Sequence, residues 1–468
     1  MRKKTSNAEK KPREKREKRP PKDPSLRNKM YKYRLYPTKS QIGKLEWILR
    51  RRKELYNAAL EERTAAYRMA GVSVNYEMQC AQLPEIKEDR PEYQDIFSQV
   101  LQDVLHRIDK AMQNFFRRVK NGEVPGYPRF KSNSRYHSFT YPQGGYEIVD
   151  VPTRKKNSKK NDKQTCKLKL SKIGPIKMVM HRPIEGTIKT CSIKRDGDQW
   201  YACFSVEYQF DPAMAFHPST EEVGVDLGLK VYASLSNGES IDNPRIYRAT
   251  EEPIKEAHKK LSRRKKGSHR RNRAKKELSR WYRKTRHRRE DFLHKTSRRL
   301  VKEYGTLVFE DLQIKNMSAT PKPKQNEETE KFLPNGAAAK GGLNKSILDA
   351  AWGTLTRLCA SKAEEAGCTV VKVSPRNTTQ VCSGCGSLVP KDLTGRWHSC
   401  PECGCELDRD ENAARNILYK YKHPETPFPL VKREKKPRKK KDDAGAGSVP
   451  QPHGEEPALP GDCRSPRL

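Results

Sequence analysis

Val223-Gly224-Val225-Asp226-Leu227-Gly228-Leu229 is an apolar, strand-forming run with one carboxylate in its middle, and the fold of the second half of the chain turns on how that carboxylate is read. A charge in an apolar strand is costly unless it faces a site or a partner. Tyr232-Ala233-Ser234-Leu235-Ser236 follows and meets an Asn237-Gly238 turn, which predicts a β-hairpin of two buried strands. Further along, Thr306-Leu307-Val308-Phe309 is an apolar strand that runs directly into Glu310-Asp311, and residues 368–373 read as another buried strand. A last helix is expected at Asn412-Ala413-Ala414-Arg415-Asn416-Ile417-Leu418, directly after Asp408-Arg409-Asp410-Glu411.

Three acids therefore stand at the ends of predicted elements: Asp226, Glu310 and Asp410. A phosphodiester hydrolase uses such acids to hold two Mg²⁺ ions roughly 4 Å apart, one activating water and one stabilising the leaving oxygen. Their mutual repulsion is relieved only when the cations are present. Taken singly each has a plainer reading, as a turn acid, a strand-end acid and a helix cap, and structural ion pairs also use buried acids.

Of the 12 cysteines, four form Cys382-x-x-Cys385 and Cys400-x-x-Cys403. Two such knuckles close a tetrahedral zinc site with Zn–S near ~2.3 Å, and four protein ligands leave no open position, so the metal is structural. Cys405 is an alternative to Cys403, although it breaks the knuckle spacing. The remaining cysteines follow no obvious pattern, which suits a reducing compartment.

Lys+Arg number 98 against 58 Asp+Glu, a formal net charge of +40. Residues 1–30 carry 13 basic and 4 acidic groups (13 − 4 = +9), and residues 255–300 carry 21 and 4 (21 − 4 = +17). A surplus that large needs a polyanion, and its internal position favours a nucleic-acid channel over a solubilising tail. No run of about 18 apolar residues is present to span a membrane, and no apolar segment follows the basic N-terminus to make a signal peptide. Basic clusters at 10–22 and 432–441 also have the composition of nuclear localisation signals.

The first half reads as a basic disordered tail (1–28), a strand at Tyr31-Lys32-Tyr33-Arg34-Leu35-Tyr36, and two helices. One helix carries Ile42, Leu45, Ile48, Leu49, Leu55 and Ala59 and stops at Gly71; the other carries Phe97, Val100, Leu101, Val104, Leu105, Ile108, Met112, Phe115 and Phe116 and stops near Gly122. From 137 to 210 short alternating segments, with an Asp196-Gly197 turn, predict antiparallel strands in a small barrel or sandwich around a lysine-rich loop at 155–163. In the second half, 255–300 reads as long helices with Ala274, Leu278, Trp281 and Phe292 on one face, and 318–343 as a polar loop. Ser346 and Asp349 are spaced as a capping box for a helix with Ile347, Ala351, Trp352, Leu355 and Leu358, ended by Gly367. From 421 the chain is expected to be disordered.

Gly224-Val225-Asp226-Leu227-Gly228, Phe309-Glu310-Asp311-Leu312 and Asp408-Arg409-Asp410-x-Asn412-Ala413-Ala414-Arg415-Asn416 resemble the three RuvC motifs of the TnpB (OrfB) proteins of bacterial insertion sequences, relatives of compact type V CRISPR effectors. Asn377-Thr378-Thr379-Gln380-x-Cys382-Ser383-x-Cys385-Gly386 is similar to that family's zinc-ribbon entry, and Gly126-Tyr127-Pro128-Arg129-Phe130-Lys131 and Ser138-Phe139-Thr140-Tyr141-Pro142 to its N-terminal half. The likeness covers about 30–420. It implies a multidomain α/β plus α and β architecture: an RNase H-like RuvC core with an inserted zinc ribbon, an N-terminal helical recognition lobe and a β-barrel wedge domain. The implied divisions are 29–215 for the wedge with the lobe (about 40–122) inserted, 216–375 and 407–420 for the nuclease domain, 376–406 for the ribbon and 421–468 for a tail.

Position by position, the resemblance gives Asp226, Glu310 and Asp410 the catalytic, Mg²⁺-holding role, with Asp410 chosen over Asp408 because it directly precedes x-Asn-Ala-Ala. It implies a guide RNA from the transposon end and a double-stranded DNA target beside a short motif, in a bacterial cytoplasm near the nucleoid, or in a nucleus for a eukaryotic relative. Arg263, Arg264, Lys265, Lys266, Arg270, Arg271 and Arg273 would then grip the heteroduplex by its backbone. Arg129 and Lys131 join them, while Tyr127 and Phe130 are read as stacking residues or, more simply, as core. Two other functions remain open: a cleavage-inactive RNA-guided DNA-binding repressor, and a transposase or resolvase that works without RNA.

Overall fold

In β1 (Leu26–Tyr36) alternation buries Tyr31, Tyr33 and Leu35 and turns Lys32 and Tyr36 outward. This comes from a computed structural model, which describes residues 23, 25–133, 135–150, 164–211, 217–326, 330, 332–391 and 395–425. The basic clusters at 10–22 and 432–441 and the loop at 155–163 lie outside the described residues. The strand begins at Leu26, inside the stretch that composition assigns to the tail. Its first residues have ladder partners that composition does not register: pairing runs antiparallel from Leu26 opposite Gln209 to Leu35 opposite Trp200.

α1 (Lys39–Ala70) opens on a capping box, with the Gln41 amide donating to Thr38 Oγ1 and the Thr38 amide to Gln41 Oε1, and closes on Gly71 at φ 66°. α2 (Tyr76–Ala81) and α3 (Leu83–Asp89) are too short for periodicity to announce. α4 (Ser98–Lys120) buries Val100, Leu101, Val104, Leu105 and Ile108 against α1. Arg52 of α1 is wholly buried there, donating to the carbonyls of Val100 and Ser138 and pairing with Asp103 at 2.6 Å. A buried guanidinium is tolerated only when its donors are satisfied in this way.

β2 (Ser138–Tyr141), β3 (Tyr146–Asp150), β4 (Gln164–Leu170), β5 (Gly174–Met180), β6 (Thr187–Asp196) and β7 (Gln199–Gln209) join β1 in one antiparallel sheet, in the order β2-β6-β7-β1-β5-β4-β3. β2 and β3 stand at opposite ends of that order, yet only residues 142–145 connect them. The five steps from Tyr141 to Tyr146 reach at most about 18 Å, so the sheet must curl until its ends meet. Tyr141 and Tyr146 do meet, with ring centroids 6.4 Å apart.

The second half holds β8 (Glu222–Leu227), β9 (Val231–Leu235), β10 (Ser240–Asp242), α5 (Glu251–Ser262), α6 (His269–Glu303), β11 (Thr306–Glu310), α7 (Ile314–Met317), β12 (Lys324–Gln325), β13 (Phe332–Leu333), α8 (Ala337–Ala350), α9 (Trp352–Ala366), β14 (Thr369–Val373), β15 (Trp397–Ser399), β16 (Glu406–Asp408) and α10 (Arg409–Lys422). Its main sheet has the order β10-β9-β8-β11-β14, an antiparallel meander followed by two strands parallel to β8. The predicted hairpin thus has a third strand, β10.

Four expectations need correction. Residues 318–343 contain a small hairpin (β12, β13) and the start of α8 rather than only a loop. Ser346 and Asp349 do not cap a helix. They sit inside α8, where Ser346 Oγ bonds back to the Gly342 carbonyl and Asp349 is taken by the Tyr247 amide and Arg289; the break comes at Ala351, φ 52°. β14 is the edge of its sheet and only partly covered, not a buried strand. α10 runs to Lys422, past the expected start of the tail.

Part of the basic block is structural. Arg280 and Arg283 of α6 pair with Asp198 at 3.3 and 2.7 Å, and Arg286 pairs with Asp196, so the helix is pinned to the β6–β7 turn.

α10 lies across β8 at Gly224, where a β-carbon would stand 2.1 Å from the Ala414 carbonyl oxygen. The small residues Ala413 and Ala414 are fully buried at that crossing. Gly224→Ala is accordingly expected to lower stability by roughly 1–3 kcal/mol, the usual result of overpacking, and to push α10 off the sheet. A thermal midpoint equal to the wild type's would contradict this contact.

Candidate active site

β8 and β11 run parallel with Val225 opposite Phe309, so the next residues, Asp226 and Glu310, share one face at the carboxyl end of the sheet. α10 then brings Asp410 to the same end. Its Oδ2 lies 4.0 Å from where a β-carbon on Gly228 would be. The structure thus gathers all three acids from separate parts of the chain.

Burial pushes the Asp226 carboxyl well above the usual range, and the charges of Glu310 and Asp410 push it further; Arg409 and the Leu227 amide oppose them. Burial also raises Glu310, against a 2.6 Å hydrogen bond that Thr378 Oγ1 donates to its Oε1. Asp410 is 8% exposed and accepts from Arg396 and Arg409, each at 3.2 Å. Asp408 has a different job. It is exposed and caps α10, accepting the Asp410 amide at 2.8 Å.

The four Cys382, Cys385, Cys400 and Cys403 sulfurs lie within 4.8 Å of one another, and among the described residues no other group of three or more Cys, His or acidic side chains is drawn in so tightly. The carboxylates are more open, as unneutralised like charges must be. Hydrogen bonds from the Ser387 hydroxyl and amide pull the Cys385 thiol down to about 6. The Cys405 amide favours the Cys403 thiolate too, yet Cys403 is pushed up to about 12, chiefly by the proton it shares with Cys385. Thiols that resist losing successive protons are a donor set that a divalent, sulfur-binding cation suits.

Several residues here have no role assigned from the sequence: Arg396, and Thr378 and the fully buried Asn412 and Asn416, which the motifs contain without a stated function. Two asparagines four apart on the apolar side of a helix were the available signal, because buried amides must find partners. Theirs are the carbonyls of Thr378 and Val381 and the amide of Ser383.

Of the candidate nucleic-acid contacts, Arg263, Arg264, Lys265, Lys266, Arg270, Arg273 and Arg129 are exposed. Arg271 instead closes the α5–α6 turn through the carbonyls of Leu261 and Arg264, and Lys131 is partly buried, with its amide bonded to Asn57. Tyr127 and Phe130 are not core: they are 43% and 58% exposed, with Tyr127 meeting the Phe115 ring edge-on and the Thr64 hydroxyl. A cleft of about 660 Å³ between β1, β7 and α6, lined by Arg34, Tyr36, Tyr201, Arg280, Lys284 and Arg288, was not foreseen. Its residues are far apart in sequence.

A family model described as "Probable transposase" matches residues 204–320, one described as "Cas12f1-like, TNB domain" matches 352–417, and one described as "Helix-turn-helix domain" matches 27–71. A Streptomyces pristinaespiralis protein named "Putative RNA-guided DNA endonuclease" is 32% identical over 398 residues, 83% of this chain and 88% of that one. The chain belongs to the TnpB (OrfB) family. A second member, "Putative RNA-guided DNA endonuclease InsQ" of Escherichia coli (strain K12), is 28% identical over 83% of this chain and 91% of its own. Of solved structures, a Cas12f1–sgRNA–target DNA complex aligns at TM-score 0.47 and 13% identity, covering 84% of this chain and 99% of that chain. In this TnpB-family chain the first matched region contains Asp226 and Glu310, and the second contains the four thiols and Asp410. The third is β1 and one long helix.

Proposed function

We propose that this TnpB-family protein is an RNA-guided DNA endonuclease that cleaves by metal-dependent phosphodiester hydrolysis. The observation that carries the proposal is the convergence of Asp226, Glu310 and Asp410 at one end of the β8–β11 pair. The relatives' names point the same way. Asp226, whose ionisation is opposed by burial and by the charges of Glu310 and Asp410, and Glu310, whose ionisation is opposed by burial, form with Asp410 a donor set for hard cations. Two Mg²⁺ ions held there would supply an activated water and a stabilised leaving oxygen. Asp226 and Glu310 provide the acceptor oxygens from the sheet; Asp410 provides them from the helix, once Arg396 and Arg409 share it. All three acid positions are filled and gathered, which favours an enzyme over a repressor that acts by occupancy.

The strand order β10-β9-β8-β11-β14, with its antiparallel meander and parallel pair, supports an RNase H-like (RuvC) core. On that reading 216–375 and 407–420 are the two parts of the nuclease domain and 376–406 is a ribbon held by structural zinc on Cys382, Cys385, Cys400 and Cys403. The curled seven-stranded sheet is the wedge, and the helices of about 40–122 inserted in it are the recognition lobe. Guide RNA and target DNA are the polyanions that the +40 chain calls for. No helix of the described residues is long and apolar enough to cross a membrane. We assign the protein to a bacterial cytoplasm, where thiols stay reduced.

Sequence choice then resides in RNA–DNA pairing, with the protein reading only a short flanking duplex motif. Exchanging the guide segment of the bound RNA should redirect plasmid cleavage in Mg²⁺ to the matching DNA. Mismatches beside the motif should cost more than distant ones, because pairing nucleates there. Cutting that follows branched DNA, or stays at the original site after the exchange, would mean a resolvase instead.

A further inference from the structure

The thiol cluster and the carboxylate centre share one helix and one turn. The turn runs from Asn377, at φ 59°, to Cys382, and is closed by the Gln380 and Val381 amides donating to the Asn377 carbonyl at 3.1 and 3.0 Å. On one side α10 holds it. Asn416 Nδ2 donates to the carbonyls of Thr378 and Val381, at 2.8 and 2.6 Å. Asn412 donates to Val381 at 2.8 Å and accepts the Ser383 amide at 2.9 Å, so it grips the knuckle on both sides of Cys382. On the other side the turn touches the acid site directly, through the 2.6 Å bond from Thr378 Oγ1 to Glu310 Oε1. Thr378 and both asparagines are at most 2% exposed. The second knuckle is tied in as well: the Cys400 amide bonds to the Cys405 carbonyl, and β16 leads from it straight into the cap of Asp410.

We infer that Thr378, Asn412 and Asn416 are positioning residues that make the carboxylate centre depend on the loaded state of the cysteine cluster. Filling the cluster fixes where Cys382 sits, and the turn carries that position to Glu310 through a single hydroxyl. The same cluster sets the start of α10 and so Asp410. The sheet places Asp226 and the Glu310 backbone, so the cluster acts on the Glu310 carboxyl and on Asp410. Buried partners that orient ligating carboxylates are worth about 10–100-fold in metal affinity or activity, so the thiol site governs the acid site from outside it. This inference rests on the metal assignments of the proposed function.

The test is a Mn²⁺ titration of the full protein–RNA complex followed by electron paramagnetic resonance. The component lost in Asp226→Ala is taken as the acid centre. Thr378→Val should keep one zinc per chain, yet weaken that component about 10-fold or more. Thr378→Ser, which retains the hydroxyl, should restore it. Stripping zinc from the wild type with a chelator should weaken the same component, and should do so more than in Thr378→Val, since coupled perturbations do not add. Both the Thr378→Val and the zinc-stripped titrations are made at a temperature where circular dichroism shows the protein folded, so that a lost component reads the coupling and not unfolding. Unchanged Mn²⁺ affinity in Thr378→Val, or after zinc removal, overturns the inference while leaving the acid centre in place. Full Mn²⁺ binding by Asp226→Ala instead overturns the acid centre itself.

Discussion

Replacing Asp226, Glu310 or Asp410 singly with alanine is expected to reduce DNA cleavage by roughly 10³-fold or more while leaving RNA binding nearly intact. A metal site contributes several kcal/mol of charge stabilisation to the reaction, and about 1.4 kcal/mol corresponds to each tenfold in rate. RNA affinity comes from the basic surface instead. Asp408→Ala should keep cleaving, losing only about 1 kcal/mol of helix cap. An active Asp410→Ala beside a dead Asp408→Ala would reverse the assignment. The same acids carry a stability signature. Asp226 is raised above its ordinary range, so the folded state holds that proton more tightly than the unfolded chain does. The stabilisation is present at low pH and is lost as pH rises through the raised value. At neutral pH without divalent cation the Asp226 carboxyl is therefore a load on the fold, and Asp226→Asn should melt above the wild type. Added Mg²⁺ should close that gap by stabilising only the wild type.

Cys382→Ser and Cys400→Ser should each release the zinc that elemental analysis is expected to find at one per chain. Both should also lower stability markedly, because structural zinc binding is largely folding free energy, about 10–16 kcal/mol in isolated fingers. Cys382 and Cys400 are 1% and 2% exposed, so neither loss can be repaired by solvent. Cys405→Ser should retain the metal, since its sulfur lies outside the tight group of four. A metal-free protein with full activity would remove zinc from this account.

The three acids stood out because each breaks a local rule, as a charge inside or at the end of an apolar strand or an acid before a run of small residues, but each had a plainer reading and only the family resemblance gave the trio its role. Such violations mark sites, since each needs a local reason. The cysteine spacing was legible for the same kind of reason. Periodicity found α1 and α4 because they are long, and missed α2 and α3 because six or seven residues carry too few turns. It reports which face is apolar, not what covers it. Hence β14 was read as buried though it is an edge, and the partner of the first residues of β1 was invisible. Ser346 and Asp349 have capping spacing, but their bonds go to Gly342, Tyr247 and Arg289, which tertiary packing alone supplies. The buried Arg52 and the Thr378–Glu310 bond likewise join residues that only the folded chain makes neighbours.

Because α10 crosses β8 at Gly224, the acid site is closed by residues made long after those that open it: 410 − 226 = 184 positions separate the first carboxylate from the last. At roughly 5–20 residues per second of synthesis, about 10–40 s pass between their emergence from the ribosome. Glu310 joins Asp226 part-way through that interval, and until Asp410 follows the chain holds at most two of the three acids and cannot assemble the carboxylate centre. A chain that stops short of Asp410 lacks the third carboxylate, so no such product is expected to cut DNA.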